Sequence, residues 1–291
     1  MNIVVCVKQV PDTNIVTIEE GINSIDREDL VYTVNPYDIL AVEEAVRIKE
    51  REGNSQVNLV SMGTLSAKKI LRRCLAIGAD KAILLRDDAF KDSDSYATAT
   101  ILAKAICSLP YDLIFCGQKA ADTASGQVGA AIAEMLDITL ISGVIKVEIS
   151  PNHREVVVQR KMERGNREVV RASLPALLTV EAGLNEPRYA SLPSLMEALR
   201  KDIEEYNLRE LGLSSDDVGL KGSKTQLLRL SPPRPRLKKP FTPDSNLPAA
   251  ERMRLLVSGG IAKKESNLLE GAPEEVASKF IQFLNQQNII T

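Results

Sequence analysis

Gln56-Val57-Asn58-Leu59-Val60-Ser61, the turn Met62-Gly63-Thr64, the run Ser66 to Ile77, Gly78, and then Lys81-Ala82-Ile83-Leu84-Leu85 decide the fold. The first and last segments are short, apolar and rich in branched residues, as buried strands are. The run between them reads as a helix, and Gly78 closes it because glycine tolerates the left-handed backbone that ends helices. Strand, helix and strand in this order, with strands apolar on both faces, specify parallel strands joined by a helical crossover.

The same alternation extends outward in both directions. Ile3–Val7 is a continuous apolar strand. Pro36–Arg51 places Ile39, Leu40, Val42, Ala45, Val46 and Ile48 at helical spacing. Pro36 suits a first helical turn, Asn35 can cap it, and Gly53 stops it. Further on, Ser93–Ser108 reads as a helix, Asp112–Cys116 as a strand, Gly117–Ser125 as a loop and Gly126–Leu136 as a helix. The class is α/β, a mostly parallel sheet with helices on both faces. Ligands of such sheets sit beyond the carboxyl ends of the strands. Those ends are Val7-Lys8, Ser61-Met62-Gly63 and Cys116-Gly117.

After Leu140 the pattern changes. Val144–Ile149, Glu155–Arg160, Glu168–Ala172 and Ala176–Val180 are strand-like and separated by polar turns, which suggests an antiparallel or mixed extension. Pro193–Glu205 is a helix candidate. Ser231-Pro232-Pro233-Arg234-Pro235-Arg236 through Pro248 is proline-rich and basic, and reads as an extended arm. A last helix is expected from Ala272-Pro273-Glu274-Glu275 to about Leu284, with Val276, Phe280, Ile281 and Leu284 on one face. Two regions follow: an α/β domain at 1–229, and an arm with a terminal helix at 230–291.

Composition excludes several functions. The chain has 291 residues, a net charge of −2, one His and no Trp. Near-neutral charge argues against nucleic-acid binding. No apolar run approaches the ~18 residues of a membrane span. The opening Met1-Asn2-Ile3-Val4-Val5-Cys6-Val7-Lys8 reads as a strand, with no basic stretch or cleavage site of a signal peptide. Cys6, Cys74, Cys107 and Cys116 form no C-x-x-C and read as small buried hydrophobes in a reducing cytoplasm. His153, in a turn after Pro151-Asn152, has no second His to work with, which disfavours triad hydrolysis and His-rich metal sites. The chain leans towards binding or carrying, with any redox chemistry left to a cofactor.

Few motifs carry chemistry. There is no G-x-G-x-x-G after the first strand and no G-x-x-x-x-G-K-[ST], so neither a conventional dehydrogenase nor a P-loop NTPase is indicated. Ser258-Gly259-Gly260-Ile261 lacks the Asp-Ser that a pyrophosphatase loop needs, and reads as a turn. The best local signal is Gly117-Gln118-Lys119-Ala120-Ala121-Asp122-Thr123-Ala124-Ser125-Gly126-Gln127-Val128-Gly129, which follows a buried strand and opens a helix. Ser125 can cap that helix, Gly126 lets backbone approach a ligand, and first-turn N–H groups favour a phosphate. Plain capping, with Gly126 and Gly129 packing on the sheet, explains the same residues equally well. Tyr37 could face a cofactor ring. Arg188-Tyr189-Ala190-Ser191-Leu192-Pro193 reads as surface loop, though an exposed Leu192 would make an anchor for a partner.

Several stretches together resemble one family, the β subunit of electron-transfer flavoprotein. Its signature is matched nearly throughout by Val158-Gln159-Arg160-Lys161-Met162-Glu163-Arg164-Gly165-Asn166-Arg167-Glu168-Val169-Val170-Arg171-Ala172-Ser173-Leu174-Pro175-Ala176-Leu177-Leu178-Thr179, with Arg164 where Gly or an acid is preferred. Val5-Cys6-Val7-Lys8-Gln9-Val10-Pro11-Asp12 and Asn35-Pro36-Tyr37-Asp38-Ile39-Leu40-Ala41-Val42-Glu43-Glu44-Ala45 are similar to the family as well. Leu184-Asn185-Glu186-Pro187-Arg188-Tyr189-Ala190-Ser191-Leu192-Pro193 resembles its partner-recognition loop, near 184–196.

The resemblance implies a Rossmann-like sheet of the adenine-nucleotide α-hydrolase type, and a heterodimer with an α subunit that holds a redox FAD. It implies AMP or a second FAD within this chain, the latter in bifurcating members that take electrons from NADH. By position the nucleotide would meet the Cys6 backbone, Asn35, Met62, Gly117, Asp122, Ser125, Gly126, Gln127 and Val128. Tyr37 matches an aromatic near the α-subunit flavin, and Leu192 the anchor for an acyl-CoA dehydrogenase or similar flavin dehydrogenase. An electron carrier without acid–base catalysis of its own, or a part of an NADH-dependent bifurcating complex, is what this implies. Thr123-Ala124-Ser125 departs from both loop patterns, so AMP and FAD both remain open. The competing expectation is a stand-alone adenine-nucleotide-binding protein of universal-stress type, which would form a homodimer.

Overall fold

The computed structural model describes residues 1–12, 30–228, 243–245, 247–257 and 271–286. The chain divides into two units, Met1–Pro232 and Pro233–Thr291.

The first unit is built on a nine-stranded sheet. Its strands in chain order are β1 (Asn2–Cys6), β4 (Gln56–Met62), β5 (Lys81–Leu85), β6 (Leu113–Gly117), β7 (Thr139–Ile149), β8 (Glu155–Lys161), β9 (Arg167–Ser173), β10 (Ala176–Val180) and β11 (Glu204–Tyr206). The spatial order is β11-β5-β4-β1-β6-β10-β7-β8-β9. Pairing is parallel from β11 across to β7, and antiparallel for β7–β8 and β8–β9. The parallel sheet and the antiparallel extension are therefore one mixed sheet. The return strand β10 inserts between β6 and β7, so the hairpin strands are tied to the parallel half. A separate two-stranded antiparallel ribbon is formed by β2 (Gln9–Pro11) and β3 (Tyr32–Val34).

Helices α1 (Pro36–Glu52), α2 (Ala67–Ile77), α3 (Ser95–Cys107), α4 (Val128–Met135), α5 (Leu192–Arg200) and the single turn α6 (Gly219–Gly222) complete the unit. Residues of α1 and α2, such as Ala41, Val42 and Leu71, pack with Ile3, Val5, Leu59 and Phe115 in one apolar layer. Ile101 and Ile106 of α3 and Ile132 of α4 pack with Val4, Val60, Ile83 and Ile114 in another. Successive residues of β1 thus serve different layers, as strand alternation requires. Gly78 ends α2 at φ 137°, and a side chain there would meet Val46 at 2.9 Å. The glycine is needed for both its backbone and its lack of a Cβ.

Two expectations change, and one short element is added. The helix expected at Pro193–Glu205 ends at Arg200, because Glu204–Tyr206 pairs with the free edge of β5 and Glu205 is held by Lys68 and Arg86. The added element is the ribbon β2–β3, whose strands of three residues each are too short to show alternation. Cys6, Cys74 and Cys116 are buried, but Cys107 is exposed at the last turn of α3. His153 lies in its exposed turn at φ 52°.

In the second unit, helices α7 (Ala249–Val257) and α8 (Pro273–Gln286) are described. Helix α8 begins with Pro273, Glu274 and Glu275, residues that suit a first turn. Phe280 and Ile281 on its apolar face are half exposed. Ser258–Ile261 and most of the proline-rich stretch lie outside the described residues.

Phe115 is fully buried at the centre of the sheet. Truncation to alanine is expected to cost about 3–5 kcal/mol in urea unfolding, the range for large buried side chains. A loss below about 1 kcal/mol would mean that β6 is not the sheet's centre.

Candidate functional site

The site grows from one buried carboxylate. Asp38 lies in the first turn of α1 and is buried under the ends of β1 and β6. The Lys8 N–H donates to Asp38 Oδ2 at 2.7 Å, and the Gly117 N–H donates to Oδ1 at 3.1 Å. Asn35 Nδ2 also donates to Oδ1, at 2.9 Å. The chain just past β1 and the last residue of β6 are therefore bound to the same side chain. Burial pushes the Asp38 carboxyl up to about 7, against the pull of these donors. Gly117 must be glycine here, since a Cβ would lie 2.2 Å from Asp38 Oδ1 and 2.8 Å from Tyr37 Cβ.

Asn35 occupies the capping position of α1 but does not cap it. Its side chain instead grips the following loop, donating to the Lys119 carbonyl and accepting from the Ala121 N–H, both at 3.0 Å. The loop then runs through Ala124 (φ 52°) and Gly126 (φ 63°) into α4. Helix α4 starts at Val128 with Gln127 in the capping position and no side-chain cap. The expectation that Ser125 caps it is thus corrected: the left-handed Gly126 turns the chain one residue later, and Ser125 Oγ accepts from Ser95 Oγ at 3.2 Å. A helix start without a side-chain cap leaves its first N–H groups for solvent or a ligand.

These elements enclose a cleft of about 370 Å³ beyond the carboxyl ends of β1, β4 and β6. Cys6, Asn35, Met62, Gly117, Ser125, Gly126, Gln127 and Val128 line it. Tyr37 and Asp122 do not. Tyr37 packs behind Gly117, with Lys119 Nζ 5.9 Å from its ring centre. Asp122 pairs with Lys8 Nζ at 2.8 Å. Leu192 lies elsewhere, 72% exposed at the start of α5.

Sequence reasoning missed the opposite wall, made by Ser93, Asp94, Ser95, Thr98 and Thr225. Asp94 caps α3 through the Ala97 N–H at 2.9 Å, and accepts from the Lys224 N–H, the Thr225 N–H and Thr225 Oγ1, each at 2.8 Å. Burial opposes its charge, but these donors hold its carboxyl down at about 2. An Asp before an apolar helical run is a legible cap. Its link to Thr225 has no local signature.

The donor set fits a phosphorylated ligand. It comprises α4's first-turn N–H groups, the Ser125 hydroxyl, which accepts from Ser95 and keeps its own hydrogen to donate, and the Lys8 ammonium at the rim. Among the described residues no cluster of three or more His, Cys, Asp or Glu could hold a metal. Cys116 is no ready nucleophile, since its hydrogen bond with Cys6 and its burial push the thiol well above the ordinary range.

A family model described as the electron transfer flavoprotein domain matches residues 22–211. The chain is 40% identical over 271 residues to the electron transfer flavoprotein subunit beta of Thermoanaerobacterium thermosaccharolyticum, covering 93% of this chain and 97% of the relative. It is 38% identical over 245 residues to protein FixA of Azotobacter vinelandii (82% and 86% covered). It is 40% identical over 235 residues to the caffeyl-CoA reductase-Etf complex subunit CarD of Acetobacterium woodii (80% and 88% covered). These relatives do not favour the stand-alone universal-stress alternative.

Asp38→Asn replaces Oδ2 with an NH₂ that faces the Lys8 N–H, and is expected to cost about 1–3 kcal/mol from the orphaned donor. A raised native pKa makes the group's contribution to stability full below about 4 and lost as pH rises through about 7. The unfolding free energy of the parent should carry a slope of up to about −1.4 kcal/mol per pH unit in that window, and the variant should lack it. Equal slopes in both proteins would contradict the burial of this carboxyl.

Proposed function

Because this chain belongs to the electron transfer flavoprotein family, as a β subunit, we propose that its cleft holds an adenine nucleotide, either AMP or the AMP half of an FAD. One observation carries the reading. A helix start without a side-chain cap, preceded by a side-chain-free Gly126 at φ 63°, opens into a cleft at the strand ends. Phosphate would rest on the α4 N–H groups, with Ser125 and Gln127 beside it. Cys6, Met62 and Val60 supply the apolar floor on which a purine can lie. Asn35 and Asp38 keep loop and strand ends in register, and Asp122 holds the Lys8 ammonium at the rim.

FAD bound in the complex supplies the redox chemistry. The chain's own part is to bind, to orient and to dock. Its α-subunit partner carries one FAD, and Tyr37 faces that subunit. The segment 230–291 is an arm on the α subunit. Leu192 and the 98% exposed Tyr189 form the docking patch for an acyl-CoA dehydrogenase or a similar flavin dehydrogenase. Free cysteines suit work in the reducing cytoplasm. No helix among the described residues is long and apolar enough to cross a membrane.

Acid release and chromatography of the nucleotides in the purified heterodimer test the reading. One AMP and one FAD per heterodimer assign AMP to this chain, and two FAD assign it a flavin, with NADH then tested as donor. One FAD and no other nucleotide would contradict the proposal. Ser125→Glu places a negative charge at the α4 start and is expected to lower nucleotide affinity at least about tenfold without unfolding the chain. Truncation after residue 229 is expected to weaken the heterodimer in analytical ultracentrifugation, and equal association would remove the role given to the arm.

A further inference from the structure

The segment from Asn185 to Ser191, which enters α5, has no strand pairing of its own. It is held instead by one side of α1. Leu40, Glu43, Glu44, Arg47 and Glu50 recur at spacings of three and four residues, so they form one face. Asn185 Nδ2 donates to the Leu40 carbonyl at 3.1 Å and to Glu44 Oε2 at 2.9 Å. Arg47 Nη2 donates to the Glu186 carbonyl at 2.8 Å.

Arg188 then closes the set. Its backbone N–H donates to Glu43 Oε2 at 3.1 Å, and its Nε and Nη2 donate to the same carboxylate at 3.0 and 3.1 Å. Its Nη1 and Nη2 also reach Glu50, at 2.5 and 2.9 Å. The Glu43 side chain is only 1% exposed. Burial works against its charge, but Arg188 and Arg47 outweigh burial and hold its carboxyl below the ordinary range.

The far side of α5 is fixed as well. The helix packs on α2 through the buried Ala198, while Arg72 donates to the Leu199 carbonyl and Lys201 Nζ donates to the Ala79 carbonyl at 3.2 Å. Between these two anchorages stand Tyr189, 98% exposed, and Leu192. Both are exposed, yet they sit on a loop clamped at one end and a helix clamped at the other.

We propose that Arg188 is a positioning residue for docking: its fork across Glu43 and Glu50 fixes the loop so that Tyr189 and Leu192 meet the partner already arranged. It would not touch the partner. Binding then avoids the entropy of ordering the loop. The proposal rests on the docking role given above to Leu192. Lysine cannot replace the residue, because one ammonium cannot make parallel bonds to two carboxylates.

Arg188→Lys and Glu50→Gln test this in the purified heterodimer. The second variant alters an exposed carboxylate and keeps the buried Glu43 pair intact. Two readouts are needed: amide hydrogen exchange over residues 184–199, and KM against kcat for transfer from a purified acyl-CoA dehydrogenase, the probe. Exchange at 186–191 should rise about tenfold or more, and KM should rise by about three- to tenfold with kcat unchanged. Leu192→Ala should raise KM without changing exchange. Unchanged exchange in both clamp variants overturns the proposal. So does faster exchange with unchanged KM when Leu192→Ala does raise it. If Leu192→Ala also leaves KM unchanged, the docking reading has failed, and the proposal falls with it.

Discussion

Asp38 is the constraint on which the cleft depends. A parallel sheet gathers its strand ends on one edge, but nothing in strand pairing fixes the chain beyond those ends. Here a single buried carboxylate takes the N–H groups just past β1 and at the end of β6, and Asn35 extends the grip into the loop at 119–121. Burial raises the cost of the charge, and the donors lower it. The balance leaves a carboxyl whose pKa lies above the ordinary carboxylate range. Gly117 follows from it, because the strand end has to come within hydrogen-bond reach of Asp38 with no Cβ between.

Helix α1 links this junction to a second one. Its first turn faces the cleft, and its later turns carry the acids that hold Asn185 and Arg188. Its sequence is therefore more polar than packing against a sheet would need. Asp38, Glu43 and Glu44 are buried among Ala41, Val42 and Ala45. Each buried acid has named partners, as burial of a charge demands. One helix thus supports both the cleft at the strand ends and the Asn185–Ser191 segment.

The parallel half of the fold was readable because its signals are local and redundant. Gln56–Leu85 shows two apolar strands, a periodic helix and glycine stops, and all of these survive in the structure. The strand ends pointed to the cleft for the same reason. What was not readable depends on distant pairing. Glu204–Tyr206 is drawn into the sheet by the free edge of β5, although its own residues continue a helical run. Asp94 and Thr225 meet across more than a hundred residues. Asn35 and Ser125 were placed at helix starts by their residue types, yet both hydroxyl and amide found other partners. Arg188 read as ordinary loop, because its two acids lie on a helix far upstream.

The central claim is that an adenine nucleotide occupies the cleft at the ends of β1, β4 and β6. Photolabelling of the purified heterodimer with 8-azido-AMP, followed by peptide mapping, tests it most directly. The account predicts label on peptides spanning residues 6–8, 60–63 or 117–129, and its loss when excess AMP or FAD competes. Label confined to other segments of this chain, or label that neither competitor displaces, would contradict it.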